Sequence, residues 1–235
     1  DMLQEIRDLM DNVVQEQKLK RDAEILSLQT QINPHLLYNT LASIRFLVFT
    51  GDKKTADNAI LALIRLMKNT LSDAREFVTV ENEFDLLQDY IQLQRLAFDR
   101  PVEVSVDVDD NILDCKIIKL LLQPVVENAF LHGLKPKAGS IQLCIAGKAD
   151  QNDLVFTVED NGVGFDTEKA NYTDKDPASR SVGLRNVHNR IVLTFGEGYG
   201  LTVQSTLSEG TAVTLRIPLI RSKGEYSSYE HFGGG

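Results

Sequence analysis

Leu154-Val155-Phe156-Thr157-Val158-Glu159-Asp160-Asn161-Gly162-Val163-Gly164-Phe165 is the stretch on which the fold turns. Its first five residues alternate inward and outward with the period of a half-buried strand. The strand then runs into a carboxylate, a carboxamide and two glycines. By default Asp160-Asn161-Gly162 makes a turn, because Asn and Gly accept backbone conformations that other residues avoid. A second reading fixes Asp160 at the end of a buried strand, where it accepts a hydrogen bond from an exocyclic amine. Gly162 and Gly164 would then let a nucleotide approach the backbone.

Outward from this stretch the period-2 pattern recurs. Ile141 to Ile145 lies upstream, Val102, Val104, Val106 and Val108 further upstream, and Leu201 to Leu207 and Thr211 to Pro218 close the pattern. Between the strands the spacing is helical. A helix from Glu81 to about Phe98 carries Phe84, Leu87, Ile91 and Phe98; an apolar helix is expected from about Cys115 to Leu131, and another from Leu184 to about Phe195. Asp166 to Ser181 has almost no apolar residues and reads as a long mobile loop. The expected class is α+β: a sandwich with a mostly antiparallel sheet and helices on one face.

The N-terminal third is helical throughout. Leu3, Ile6, Met10 and Val13 form a short seam that either docks on its own domain or pairs as a coiled coil. A second helical pattern runs from Ile25 to about Val48, with a kink expected at Pro34, just before His35. Centred on Leu37, its apolar face holds Leu41, Ile44 and Val48, with Leu36, Thr40 and Leu47 at the edge; His35, Asn39 and Ala42 lie opposite. After a loop at Thr50 to Lys54, Ala56, Ile60, Leu63, Met67 and Leu71 mark the next helix. The apolar faces exceed what one hairpin can bury, so a dimeric four-helix bundle is expected.

Composition narrows the classes. A formal charge of −9 disfavours nucleic-acid binding, which needs a basic surface. Cys115 and Cys144 have no metal or redox spacing and are expected as buried free thiols. The longest apolar run, Ile117 to Val126, is well short of the ~20 residues that span a bilayer. Asp1-Met2-Leu3 opens in mid-helix pattern, as a segment of a longer chain would.

Three further sites repeat the ambiguity of Asp160. Asn128 and His132 share a helical face; Asn128 either finds a backbone or water partner or offers its oxygen to a Mg²⁺ held mostly by phosphates. Ser181-Val182-Gly183-Leu184-Arg185 puts bare amides at a helix start, which suits phosphate and also describes many ordinary helix starts. Glu209-Gly210-Thr211 is a hairpin between the last strands.

In combination the segments resemble one family. Gln29 to Leu41, with Asn33-Pro34-His35-Leu36-Leu37-Tyr38-Asn39, is similar to the phosphoacceptor box of sensor histidine kinases of the LytS/YesM type. Gln123 to Gly133 resembles their N box, Asp160 to Phe165 the G1 box, Gly183 to Val187 the G2 box and Gly210-Thr211 the last glycine motif. The resemblance covers about residues 25 to 220 in family order. It implies a helical hairpin forming a dimeric four-helix bundle, followed by a Bergerat-type ATP-binding α/β sandwich. Residues 1–24 would be a signalling helix, 25–76 the dimerisation and phosphotransfer hairpin, 77–220 the catalytic domain and 221–235 a tail. His35 would be the phosphoacceptor with Asn39 beside it. Asn128 would hold Mg²⁺, Asp160 would read adenine, and His132, Gly162, Gly164, Gly183, Leu184, Gly210 and Thr211 would complete the ATP site, with a lid between the glycine motifs. Implied partners are ATP, a second copy of the chain, a cognate response regulator and an upstream membrane-spanning sensor region, with this portion cytoplasmic.

This chain departs from the pattern in two places: Leu131 and Ala97 stand where the family commonly has lysine and arginine, leaving Lys135 or Lys137 to approach phosphate. The alternatives are a nucleotide-binding dimeric scaffold or an ATPase of the gyrase type. Hydrolysis would need a glutamate four residues before Asn128, where Pro124 stands, and Glu127 points about 100° around the helix.

Overall fold

The computed structural model describes residues 34–70, 77–98, 100–134, 139–166 and 181–221. The seam expected within residues 1–24, the helical start at 25–33, residues 167–180 of the expected loop, Lys135, Lys137 and the tail from 222 lie outside the described residues. The chain forms two compact units, Asp1–Ser72 and Asp73–Gly235.

In the first unit α1 (Pro34–Thr50) and α2 (Lys53–Thr70) form a hairpin. Pro34 heads α1, where a missing N–H leaves no bond unmade. Gly51 turns the chain at φ 86°, and the Asp52 carboxylate accepts from the Thr55 amide at 3.1 Å to start α2. The interior is narrower than the periodicity suggests. Leu36, Thr40 and Ile44 on α1 are buried, as are Ala56, Ala59, Ala62, Leu63 and Leu66 on α2. Leu41, Val48, Ile60 and Met67, on the apolar faces expected to exceed what one hairpin can bury, are exposed. Alanines bring the two helices together along one strip, which leaves the larger side chains outside.

In the second unit, β1 (Phe77–Thr79) pairs antiparallel with β3 (Lys116–Ile118). The Thr79 hydroxyl accepts from the Asn82 amide at 3.2 Å and starts α3 (Val80–Ala97). The main sheet contains β2 (Val102–Val108), β4 (Ile141–Asp150), β5 (Asp153–Asp160), β6 (Gly200–Thr206) and β7 (Gly210–Pro218), in the order β2-β4-β5-β7-β6. Only β2 and β4 run parallel; the other neighbours are antiparallel, as the alternation suggests. Ile141, Leu143 and Ile145, with Leu154, Phe156, Val158, Val213, Leu215 and Ile217, form the buried face, while Gln142 and Cys144 lie on the exposed one. Cys144 is therefore an exposed thiol; only Cys115 is buried as expected. Phe84, Leu87 and Ile91 from α3, Val125 and Val126 from α4 (Gln123–Asn128), and Leu184, Val187 and Ile191 from α5 (Ser181–Phe195) are also buried, so the helices cover one face.

The helix expected from Cys115 to Leu131 is the main correction. Its first half is strand β3 and a tight turn, and helical winding begins only at Gln123. Leu120 adopts φ 55°, which stops any helix running through it. Beyond Asn128 the helix widens into a π-helical turn over Ala129–Leu134.

The turn before α4 is held by charge. Glu83, buried on α3, accepts the amides of Leu120, Leu121 and Leu122 at 2.8, 2.8 and 3.0 Å. Arg190 of α5 donates to the carbonyls of Lys119 and Leu120 at 2.7 and 3.2 Å.

Phe156 is fully buried, its ring 6.1 Å from that of Phe84, and Gly147 leaves it room: a Cβ there would lie 2.9 Å from its Cδ1. Phe156→Ala is expected to lower stability by about 3–5 kcal/mol in urea unfolding followed by circular dichroism. A change under about 1 kcal/mol would show that the ring does not anchor the core.

Candidate functional site

The carboxyl end of β5 organises the site. Asp160 is the last residue of that strand, paired with Leu143 on β4 and Thr211 on β7, so a three-strand register fixes its backbone. Its Oδ1 accepts from the Gly162 amide at 2.8 Å. Asn161 ties down the strand beside it, its Oδ1 accepting from the Gln142 amide at 2.9 Å and its Nδ2 donating to the Ser140 carbonyl at 3.2 Å. Asp160 thus makes the local turn bond to Gly162, while Asn161 fastens the strand end to the start of β4.

Three close approaches surround Asp160, each open only to glycine. A Cβ on Gly133 would lie 2.6 Å from Asp160 Oδ1 and 2.9 Å from its Cγ. One on Gly162 would collide with the backbone of Gly133, and one on Gly210, at φ 136°, with the Asp160 carbonyl oxygen. Gly164, at φ 57°, lies against the carbonyl oxygen of Thr206. The segment after β5 is also tied by bonds: Val163 donates to the Gly133 carbonyl at 3.0 Å, Ser208 to the Val163 carbonyl at 2.7 Å, and Phe165 to Ser205 Oγ at 2.9 Å. Ser205 Oγ donates to the Gly210 carbonyl at 2.9 Å and lies 2.9 Å from the hydroxyl of buried Thr211.

Gly133 brings in the second wall. It belongs to the π-helical turn that continues α4, so Asn128 and His132, both half-buried, stand on the element that meets Asp160. The neighbouring Glu127 is felt by Tyr90 of α3, whose hydroxyl is pushed well up by burial and by that charge, while the Gln94 amide, donating at 2.6 Å, pulls it back. Glu127 therefore sits against α3. At the start of α5, Gly183 is exposed with open space where a Cβ would stand. The Leu184 side chain is core, which leaves its backbone as the part suited to a ligand.

Asp160, Gly162, Gly164, Gly210 and Thr211 thus come together at one sheet end. His35 and Asn39 belong to the other unit, on α1; the His35 side chain lies outside the described residues, and Asn39 is half-buried. Sequence reasoning missed Gly133, Ser205, Glu83 and Arg190 as parts of this assembly. Glu83 had a signal: it falls in helical phase with Val80, Leu87 and Tyr90, so an acid sits on an apolar stripe.

Two family descriptions match the chain: "Histidine kinase" over residues 23–102, and "Histidine kinase-, DNA gyrase B-, and HSP90-like ATPase" over residues 114–221. The chain is 36% identical over 217 residues to the sensor histidine kinase YesM of Bacillus subtilis (strain 168), covering 92% of this chain and 37% of that protein. It is 25% identical over 225 residues to an uncharacterized sensor-like histidine kinase of Staphylococcus epidermidis, covering 94% and 43%. The chain spans about two fifths of the length of these relatives. Among solved structures, the histidine kinase domain of the Erythrobacter litoralis EL346 blue-light activated histidine kinase matches with a TM-score of 0.47 and 19% identity, over 86% of this chain and 96% of that one.

The glycines separate two roles that motif matching treats alike. Gly164→Ala is expected to lower stability by about 1–3 kcal/mol, since it meets both a left-handed backbone and a carbonyl. Gly183→Ala, in open space at a helix start, is expected to leave the melting temperature unchanged or slightly higher. Equal thermal shifts for the two variants would contradict this division.

Proposed function

Because the chain belongs to the sensor histidine kinases, we propose that it binds ATP at the end of β5 and transfers the γ-phosphoryl group to His35. The supporting observation is the glycine-lined cradle around Asp160, a rigid acceptor with backbone approaching from three sides. A carboxylate oxygen held this way suits the exocyclic amine of adenine. Phosphates would extend toward the start of α5, where a helix N-terminus favours anions.

Among the described residues no group of three or more His, Cys, Asp or Glu could hold a metal by itself. A Mg²⁺ here would arrive on phosphates, with Asn128 adding one oxygen, as Mg²⁺ prefers. Bound that way it would neutralise phosphate charge. In the transfer, a nitrogen of the His35 imidazole forms the new N–P bond while the bond from γ-phosphorus to the bridging oxygen breaks and ADP leaves. A receiver-domain aspartate of a response regulator is the onward acceptor. Positioning carries most of this catalysis, so no strong base is required beside His35.

A second copy of the chain is the partner for the hairpin. Leu41 and Ile64 are 54% and 55% exposed, and Tyr38, Phe46 and Phe49 are more so. Large apolar groups on both helices exceed what a monomer normally shows to water, and pairing two hairpins would bury them. No helix among the described residues is long and apolar enough to cross a membrane. We place this segment on the cytoplasmic side of a membrane sensor.

Incubation with γ-labelled ATP tests the reading. Acid-labile protein phosphate is expected; free phosphate alone would indicate an ATPase, and neither product a scaffold. His35→Gln should remove the label and keep ATP affinity within about twofold, while Asn128→Ala should lower Mg-ATP affinity at least about tenfold by calorimetry. Asp160→Asn should weaken ATP selectively, because it turns an acceptor into a donor. Leu41→Glu combined with Ile64→Glu is expected to shift sedimentation from dimer to monomer; a dimer that persists would place the interface elsewhere.

A further inference from the structure

The turn Lys119 to Leu122 has both of its polar edges occupied by side chains from other helices. Its amide edge, from Leu120, Leu121 and Leu122, donates to the Glu83 carboxylate. Its carbonyl edge, from Lys119 and Leu120, accepts from the Arg190 guanidinium. Three helices meet there, and two of them carry candidate nucleotide contacts. Leu122 is the residue at the head of α4, and no side chain of its own caps that helix. Glu83 takes this role from a position 37 to 39 residues away in sequence. Arg190 and Gly183 are seven residues apart on α5, two full turns, so they share one face and lie about 10 Å apart along the axis. Fixing Arg190 therefore fixes where the phosphate-facing end of α5 begins.

We propose that Glu83 and Arg190 are positioning residues for the nucleotide: through this one turn they hold the head of α4 and the body of α5 in a set register, so that Asn128 and Gly183 address one triphosphate. The inference rests on the ATP reading above. A buried acid is a weak way to gain stability, because its desolvation offsets most of the attraction. What the arrangement supplies is direction, since three amides and a two-pronged guanidinium define an orientation that apolar packing leaves looser. Burial pushes the Glu83 carboxyl up and the Arg190 guanidinium down, while the amides and the opposite charge counter each shift. Each group thus depends on the other side of the turn.

The test compares wild type, Glu83→Gln, Arg190→Lys and the double variant, each checked for a cooperative melt and titrated with Mg-ATP and with adenosine. Glu83→Gln turns one acceptor oxygen into a donor facing an amide, and Arg190→Lys removes the two-pronged grip while keeping charge. Each single variant is expected to lose about tenfold in Mg-ATP affinity and to keep adenosine affinity within about twofold, because Asp160 is held by the sheet. The double variant should lose little more than the weaker-binding single one, since both act on the same turn. In autophosphorylation, KM for ATP should rise while kcat at saturation changes less than about threefold. Equal losses for ATP and adenosine would overturn the positioning role. So would a Glu83→Gln protein that unfolds alongside an Arg190→Lys protein that binds Mg-ATP like wild type. Wild-type protein that fails to bind Mg-ATP would sink the ATP reading itself, and the positioning role with it.

Discussion

The carboxylate of Glu83 is the constraint around which the second unit is arranged. A buried acid must be met by donors, and here the donors are three consecutive backbone amides at the head of α4. Turning those amides to one side requires Leu120 to take φ 55°, a conformation that costs a non-glycine residue about 1–2 kcal/mol. The same rotation turns the Lys119 and Leu120 carbonyls outward, to where Arg190 reaches them. One strained residue thereby joins α3, α4 and α5. Negative charge at the head of α4 is also favourable for the helix dipole, so the acid serves as a cap supplied from another helix.

This junction also explains where the sequence was hard to read. Ile117 to Val126 is apolar enough for helix or buried strand, and periodicity cannot separate the two in so short a run. The deciding facts were the bond from Glu83, 37 residues away, and the pairing of Lys116 to Ile118 with the brief strand Phe77 to Thr79. Both are long-range, and neither leaves a mark within Ile117 to Val126 itself. The main strands were legible because one face of the sheet is buried and the other wet, which writes alternation directly into Ile141 to Ile145 and Leu154 to Val158. In the hairpin, periodicity located the helices and their apolar faces but not which part of each face packs within one chain: Leu41, Ile60 and Met67 lie outside the hairpin's own interior. Ala59 and Ala62 occupy the interior because close helix contact selects small residues there.

The candidate site was legible to a different degree in each motif. Glycines stood out because their reason is local: Gly164 and Gly210 have positive φ, and no side chain could replace theirs. Asp160 was found through the same motif. Gly133 was quoted as the end of a helical motif, yet its reason is tertiary, a helix end pressed against a carboxylate from a strand. Ser205 had no signal at all, since a half-buried serine on an edge strand is ordinary until its hydroxyl is seen to bridge Phe165, Gly210 and Thr211.

The widening of the helix after Asn128 connects these observations. An α-helix running straight to Leu134 would direct the Gly133 carbonyl along its own axis, toward the next turn. The π-helical turn changes the phase of the last residues, and that carbonyl instead accepts the Val163 amide. The glycine motif after β5 is thus tied to the helix that carries Asn128 by a main-chain bond, without depending on any side chain. Asp160 lies between this bond and the sheet, with Gly162 closing the gap. On the proposed reading, the adenine end of the site would be built from backbone, sheet register and glycine contacts, all stiff. Its phosphate end would depend on where two helices begin, starts that the proposed positioning role gives to the side chains of Glu83 and Arg190. The two ends of the proposed site would therefore answer to different forces, and a nucleotide long enough to span them would read the geometry of both.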